Sequence, residues 1–375
     1  MSSRALRIAG PAEHSFNLLI YFHILTASLP VVPDPEDWLS AGLTSAIKDS
    51  SMTTQSMSYR QMGASGLRLS ALSLGGWTTF GGSLKDEALA RRIINHALAA
   101  GINFFDIADI YAHGESERLM GRLLKDTPRH ELVISSKVFW PMSEDVNDRG
   151  LSRKHIIESV EKSLKRIGTD YLDIYFCHRW DEDTPLQETL RAMDDLVRQG
   201  KILYWGTSEW TGDQLSDARY ESDHWRAYAP AVEQPQYNLL TRSRVEHEIA
   251  PATRELGMGM VVWSPLASGL LSGKYDAGVP EGSRLGRIDW LREQLLVEDK
   301  LARVRQFSAL AREFGATPSQ LALAWILTRP WVSSVITGAT TIEQLEENLG
   351  ALTLQLDEVQ VERIEALFPS PAPEG

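Results

Sequence analysis

Four residues of this 375-residue chain could carry chemistry together: Asp106, Tyr111, Lys137 and His178. A phenol whose ordinary pKa is about 10 gives up its proton reluctantly at neutral pH. A neighbouring ammonium favours the phenolate and eases that transfer. Lys137 could supply the ammonium, Asp106 could keep the lysine charged and fixed, and His178 could orient a substrate oxygen beside the phenol. Such a set would protonate a carbonyl oxygen while hydride reaches the carbon. No side chain donates hydride, so a nicotinamide cofactor is implied. Taken singly the residues say less. Asp106 could be a helix cap or a loop ion pair, His178 a hydrogen-bonded core histidine, and Tyr111 a surface aromatic. Lys137 ends an apolar run, where an unpaired ammonium is costly, and it reads as functional even alone.

Their position along the chain joins them. Eight short runs rich in β-branched and aromatic residues lie near 70–78, 102–109, 132–139, 171–179, 202–210, 231–238, 259–267 and 332–339. Runs of this kind suit strands buried on both faces, and their alternation with helices implies parallel pairing. Between them, Ile156, Val160, Leu164 and Ile167 make one apolar helical face that stops at Gly168. Thr184-Pro185-Leu186-Gln187 and Thr317-Pro318-Ser319-Gln320 both read as helix starts, with a capping threonine, a first-turn proline and a glutamine closing the box. Gly101, Gly200 and Gly350 fit helix ends.

The expected fold is α/β, a (β/α)8 TIM barrel. YRQMGASGLRLS, with its turn at Gly63-Ala64-Ser65-Gly66, forms an N-terminal β-hairpin, and an extra C-terminal helix from about Asp357 to Leu367 packs across the outside. In such a barrel, reactive groups stand where strands end and loops begin. Asp106, Lys137 and His178 end the second, third and fourth strands, and Tyr111 follows the second, so all four converge on one mouth. No GxGxxG follows a strand, which argues against a doubly wound dinucleotide domain. The Gly-rich connection over 268–298 reads as a functional lid.

Composition narrows the class. A hydrophobic content of 43% supplies a full core. The net charge of −12, with both signs mixed and no Lys/Arg run, gives no nucleic-acid face. A single cysteine, Cys177, excludes an intrachain disulfide and suits a reducing compartment. It is expected to point away from His178 along its strand and to pack as a small hydrophobe. The one membrane-like stretch, Phe16 to Val32, holds Asn17 and His23 and falls short of the roughly 20 apolar residues a spanning helix needs. Arg4 and Arg7 before it and Ala27-Ser28-Leu29 after it would also suit a signal peptide. Residues 1–57 are read as leader and linker and 58–370 as the barrel domain. The expectation is a cytoplasmic protein with no metal, no nucleic-acid partner and no direct membrane insertion.

FFDIADIYAHGESE, VISSKVFW and GLSRKHIIESVEKSLKRIGTDYLDIYFCHRWD resemble the aldo-keto reductase superfamily, a likeness covering about Tyr59 to Phe368. LGGWTTFGG, RGLSRKHIIE, YWGTSEW, WSPLASGLLSGKY and GATTIEQLEENLGA are similar to the branch that contains the voltage-gated potassium channel beta subunits and their bacterial relatives. The resemblance implies an NADPH-dependent reductase of small aldehydes, ketones or dicarbonyls in a homo-oligomer. The alternative it implies is a catalytically weak, nucleotide-sensing subunit with a channel partner.

It also implies a cofactor path. Gly76, Trp77 and Thr78, with Asp106, would lie beside the nicotinamide, and Ser208 and Gln234 would bind its carboxamide. Trp263, Ser264, Pro265, Leu266, Ala267 and Ser268 would follow the ribose and pyrophosphate. Lys274 and Arg284 would meet the adenosine 2′-phosphate, favouring NADPH over NADH. Gly338, Thr340, Gln344, Glu347 and Asn348 would surround the adenosine end, with helix-start amides near Thr340 helping to hold phosphate. Trp77, Phe80, Tyr111, Trp140 and Trp180 would wall the substrate space. Two positions depart from the branch. Channel subunits generally carry asparagine where this chain has His178, so a complete tetrad favours a competent enzyme. Glu209 stands where they often place arginine, on the nicotinamide side.

Overall fold

The structure, a computed structural model, describes residues 57–371 other than Thr78. The leader and linker expected over 1–57 therefore lie outside the described residues, except for Met57. The hairpin is formed by β1 (Tyr59–Gln61) and β2 (Arg68–Ser70), paired antiparallel. Eight strands follow: β3 (Leu72–Gly75), β4 (Phe104–Asp106), β5 (Val133–Val138), β6 (Leu172–Cys177), β7 (Ile202–Thr207), β8 (Val232–Glu233), β9 (Gly259–Val262) and β10 (Ser334–Thr337). They pair parallel in chain order and close through β10 against β3, giving the expected barrel.

The helices are α1 (Glu87–Ala99), α2 (Glu115–Leu124), α3 (Arg153–Ile167), α4 (Leu186–Arg198), α5 (Gly212–Trp225), α6 (Ala250–Glu255), α7 (Arg284–Arg287), α8 (Asp289–Leu295), α9 (Glu298–Glu313), α10 (Pro318–Leu327), α11 (Ile342–Leu349) and α12 (Glu358–Leu367).

Strand sequence explains the closure. In VISSKV of β5 and LDIYFC of β6 all six positions are buried, because one face of each strand meets the barrel interior and the other meets helices. The interior core contains Phe104, Ile174, Phe176, Val232, Val261 and Ile336. Met62 and Leu69 of the hairpin join that core, so the hairpin seals one end. Gly63 fixes which end. It lies at φ +56, and a Cβ there would stand 2.3 Å from the backbone nitrogen of Gly259, the first residue of β9. The hairpin thus plugs the end where strands begin and leaves the opposite mouth open. Cys177 packs in the layer between strands and helices, away from the interior, as its alternation required.

Local signals mostly hold. Ser152 accepts from His155 N at the start of α3, and Gly168 ends it in the left-handed region. The Thr317–Gln320 capping box opens α10. The matching box at Thr184 does not form. Pro185 is the cap residue of α4 without a side-chain bond, and Thr184 Oγ1 donates instead to Asp181 Oδ2 at 2.7 Å. The helix begins at Leu186, one residue later than the signature implies, so Thr184 stands before the cap position. Gly350 ends α11 at φ −56 and leads into a 3₁₀ turn, so it is no left-handed stop. A Cβ there would lie 2.2 Å from Gln320 Nε2, so close packing against α10 accounts for the glycine.

The stretch expected as a Gly-rich lid carries a 3₁₀ turn at Ala267–Ser272 and the short helices α7 and α8. The last helix, α12, lies outside the barrel, where Phe368 meets Phe307 at 5.7 Å and Arg363 pairs with Glu313. Among the described residues no helix is long and apolar enough to cross a membrane.

Candidate active site

The mouth is built around a buried ion pair. Lys137, one residue before the end of β5, has no exposed surface. Its Nζ donates to Asp106 Oδ2 at 2.7 Å and to the Ile107 carbonyl at 2.8 Å. The second carboxylate oxygen accepts from Ser135 Oγ at 2.8 Å and Gln234 Nε2 at 3.0 Å. Residues from β4, β5 and the end of β8 therefore lock one carboxylate. Isolated, either charge would be very costly here; paired and hydrogen-bonded, both are tolerated. Burial pushes the Lys137 ammonium down, and Asp106 pulls it back up.

Tyr111 reaches this pair from the loop after β4. It opens a 3₁₀ turn in which Ala112 (φ 50), His113 (φ 50) and Gly114 (φ 85) are all left-handed. Of seven non-glycine residues with positive φ among the described residues, six lie in loops at this mouth: Ala112, His113, Glu209, Ser264, Ala267 and Ser268. Each costs on the order of 1 kcal/mol for an L-residue, and tertiary structure must enforce it.

The Tyr111 ring centre is 4.9 Å from Lys137 Nζ and 5.9 Å from the His178 ring, edge-to-face at 74°. Burial, and then the charge of Asp106, hold the phenol well above the usual tyrosine range. The cation that pulls it back down is Arg179 rather than the expected Lys137, and it is outweighed. His178 is 7% exposed, with Trp140 at its other edge, 6.2 Å away. Burial, reinforced by Lys137 and Arg179, keeps it well below the usual histidine range. The imidazole is neutral at pH 7, with one N–H and one lone pair, and its Nδ1 has no hydrogen-bond partner among the described residues.

These groups open on a cavity of about 950 Å³, at the upper end of the range for small-molecule sites. Asp106, Tyr111 and His178 line it, with Lys137 standing behind them. Of the residues expected along a cofactor path, all but two line the same cavity. Ala267 is buried beneath the wall, and Thr78 lies outside the described residues. Ser208 Oγ donates to the Gln234 carbonyl at 2.8 Å, and the Gln234 amide nitrogen is committed to Asp106. That leaves the Gln234 side-chain oxygen for a ligand. Thr340 N and Oγ1 both donate to Gln344 Oε1, and Thr341 rather than Thr340 caps α11, so the Thr340 amide is already used.

Lys274, Arg284 and Arg287 bring positive charge to the cavity wall. Burial lowers Arg284. Its guanidinium lies 5.3 Å from the centre of the Trp77 ring, and Trp77 is edge-on to Trp263 at 6.3 Å. A cavity of this volume, lined by the Gln234 amide and by three cations, suits a nicotinamide dinucleotide.

The aromatic wall needs one correction. Trp77, Phe80, Tyr111 and Trp140 line the cavity, but Trp180 does not. It packs edge-on against buried Trp210 at 4.7 Å, which hides its apolar ring. Glu209 also lies behind the wall. Its carboxylate accepts from Trp263 Nε1 at 2.9 Å, Gln236 N at 2.6 Å and Arg244 at 3.2 Å, so it braces Trp263.

Sequence reasoning passed over Arg179, Arg287 and Trp290, all of which line the cavity. Arg179 carried a usable signal: it directly follows His178 at a strand end, the same criterion that found the other four. Arg287 stands three residues after Arg284 on a helix of one turn.

Comparison with known proteins agrees with this geometry. Residues 71–368 match the Aldo/keto reductase family. A rice protein named "Probable voltage-gated potassium channel subunit beta" is 44% identical over 321 residues, which cover 84% of this chain and 97% of that protein. An Arabidopsis thaliana protein of the same name is 43% identical over 321 residues, with the same coverage.

Proposed function

Since the chain belongs to the aldo/keto reductase family, we propose that it is an NADPH-dependent oxidoreductase that reduces small aldehydes, ketones and dicarbonyls to alcohols. The observation that carries this reading is the buried Asp106–Lys137 pair set against the Tyr111 phenol and a neutral His178 at one cavity wall. When bound, a reduced nicotinamide supplies the hydride that no side chain can.

The chain's own residues do the rest. His178 directs a ring N–H at the substrate oxygen and orients it. Tyr111 gives its proton to that oxygen and becomes a phenolate. Lys137, over the tyrosine ring, is the cation that meets the new negative charge, and Asp106 keeps it there. A phenol held above its usual range stays loaded with its proton through the working pH. Gln234 and Ser208 orient the carboxamide, the loop Trp263–Ser268 follows the pyrophosphate, and Lys274 with Arg284 selects the 2′-phosphate. Gly338, Thr340, Gln344, Glu347 and Asn348 hold the adenosine end. Residues 58–370 form the catalytic unit, in the cytoplasm.

Replacing Tyr111 by Phe tests the reading. Carbonyl-dependent NADPH oxidation is lost while NADPH still quenches tryptophan fluorescence; unchanged turnover would reject the mechanism. A second reading rests on the names of the two plant relatives: a homo-oligomeric, nucleotide-sensing subunit bound to a potassium channel. Co-purification with a channel, and no turnover on a broad carbonyl panel, would select it.

A further inference from the structure

Arg179 is the cation at the reacting end that the proposed mechanism does not use. It lines the cavity with Tyr111, His178 and Trp140, and its Cζ lies 5.7 Å from the centre of the Trp140 ring. One of its terminal nitrogens, Nη1, is anchored by the His178 carbonyl and by Ser208 Oγ at 3.3 Å. Nε and Nη2 have no hydrogen-bond acceptor among the described residues, and no carboxylate pairs with the guanidinium. The surface cations around the barrel differ: Arg118, Arg122, Arg153 and Arg198 each pair with an acid.

The local charge count follows. Asp106 and Lys137 cancel, Tyr111 and His178 are neutral, and Arg179 leaves this end of the cavity with one uncompensated positive charge. The chain as a whole carries −12, so its general field repels anions, and any preference for one must arise inside the cavity. Tying down Nη1 also selects the free edge. Nε and Nη2 form the side-on edge of the guanidinium, whose two parallel N–H bonds match the two oxygens of a carboxylate. Trp140, stacked beside it, adds an apolar wall for the body of such a molecule.

We propose that Arg179 is a specificity-determining residue that selects carbonyl substrates bearing a carboxylate, holding that group on its Nε–Nη2 edge while the carbonyl faces Tyr111 and His178. This rests on the reductase reading for its kinetic consequence, but the binding preference can be measured without turnover.

The test compares 4-formylbenzoate with its methyl ester, two aldehydes of like shape that differ by one charge. Isothermal titration of the full chain in the presence of NADP⁺, which cannot support reduction, reports binding alone. The acid is expected to bind about ten-fold tighter than the ester, the order of one charge-assisted pair in a partly exposed site. In Arg179→Met the two bind within about two-fold of each other, and in Arg179→Lys, which keeps the charge and loses the fork, an intermediate preference remains. Equal binding of acid and ester to the unaltered chain, or a preference that survives Arg179→Met, overturns the proposal. With NADPH, the ratio of kcat/KM for the two aldehydes follows the same pattern. Absence of turnover with both aldehydes rejects the reductase reading and leaves the titration result to decide the role of Arg179.

Discussion

Lys137 and Asp106 meet at 2.7 Å with both side chains buried, and Asp106 spends its remaining oxygen on Ser135 and Gln234. Three strands are thereby tied through one carboxylate, so stability and chemistry share a residue. Replacing Asp106 by Asn leaves a buried ammonium without its counterion. The expected cost is about 3 kcal/mol at pH 7. Burial already lowers the folded-state pKa of Lys137, and loss of Asp106 lowers it further. The unfolded chain then holds more protons than the folded one between the two values, so the variant's stability rises with pH toward the ordinary lysine range. Guanidinium denaturation at pH 7 and pH 9.5 reads this: the variant's deficit shrinks at the higher pH.

Tyr111→Phe keeps the ring and removes the proton. Carbonyl reduction should fall by about a thousand-fold, the middle of the range for a positioned general acid. NADPH affinity, followed by tryptophan quenching, should change by less than about two-fold, since the ring packing is retained. Because burial and Asp106 hold the phenol high, reduction by the unaltered chain should show no alkaline fall up to about pH 9.

His178 is buried in the neutral form, its folded pKa lying below the unfolded one. The unfolded chain therefore takes up protons first as pH falls, and stability contributed by this site is present above the unfolded value and lost below it. Imidazole nitrogen shifts measured by NMR should report a neutral ring from pH 8 down past the ordinary histidine range. In His178→Asn the acid-side loss of stability should be smaller, and kcat/KM for a carbonyl should fall.

Lys274 and Arg284 discriminate between cofactors under the proposed function. Replacing both with Ala should weaken NADPH binding by about a hundred-fold and NADH by less than about three-fold, because only the former has a 2′-phosphate for the cations to meet. Fluorescence titration of the two nucleotides checks the ratio. Equal losses would assign these cations to the pyrophosphate instead.

A chain beginning at Met57 should keep the melting temperature and turnover of the full sequence. Met57 itself is needed, since it is buried, and a Cβ built on Gly101 would lie 2.8 Å from its side chain.

The barrel was legible because its strands announce themselves. VISSKV and LDIYFC alternate between two apolar layers, leaving no solvent face to confuse the pattern. The convergence of Asp106, Lys137 and His178 was legible for the same reason, since strand ends in a parallel barrel share a mouth. Finer outcomes were set by contacts that spacing does not encode. Trp140 and Trp180 follow their strands alike, yet one faces the cavity and the other finds Trp210. Thr184 carried a helix-start signature, but the helix begins one residue later, with Pro185 as its cap, and the hydroxyl donates to Asp181. The rise in the Tyr111 pKa depends on how deeply its loop seats the ring, and on Asp106 outweighing Arg179.

The six left-handed non-glycine residues at the mouth have a consequence for anyone improving this protein. Glycine at Ala112, His113 or Ser268 would relieve strain and raise thermal tolerance, while freeing the loops that aim Tyr111 and frame the dinucleotide path. A screen for heat resistance alone would therefore enrich changes at these positions and return sturdier proteins that work less well. Libraries that hold these positions constant, and vary the barrel's outer helices instead, separate durability from performance.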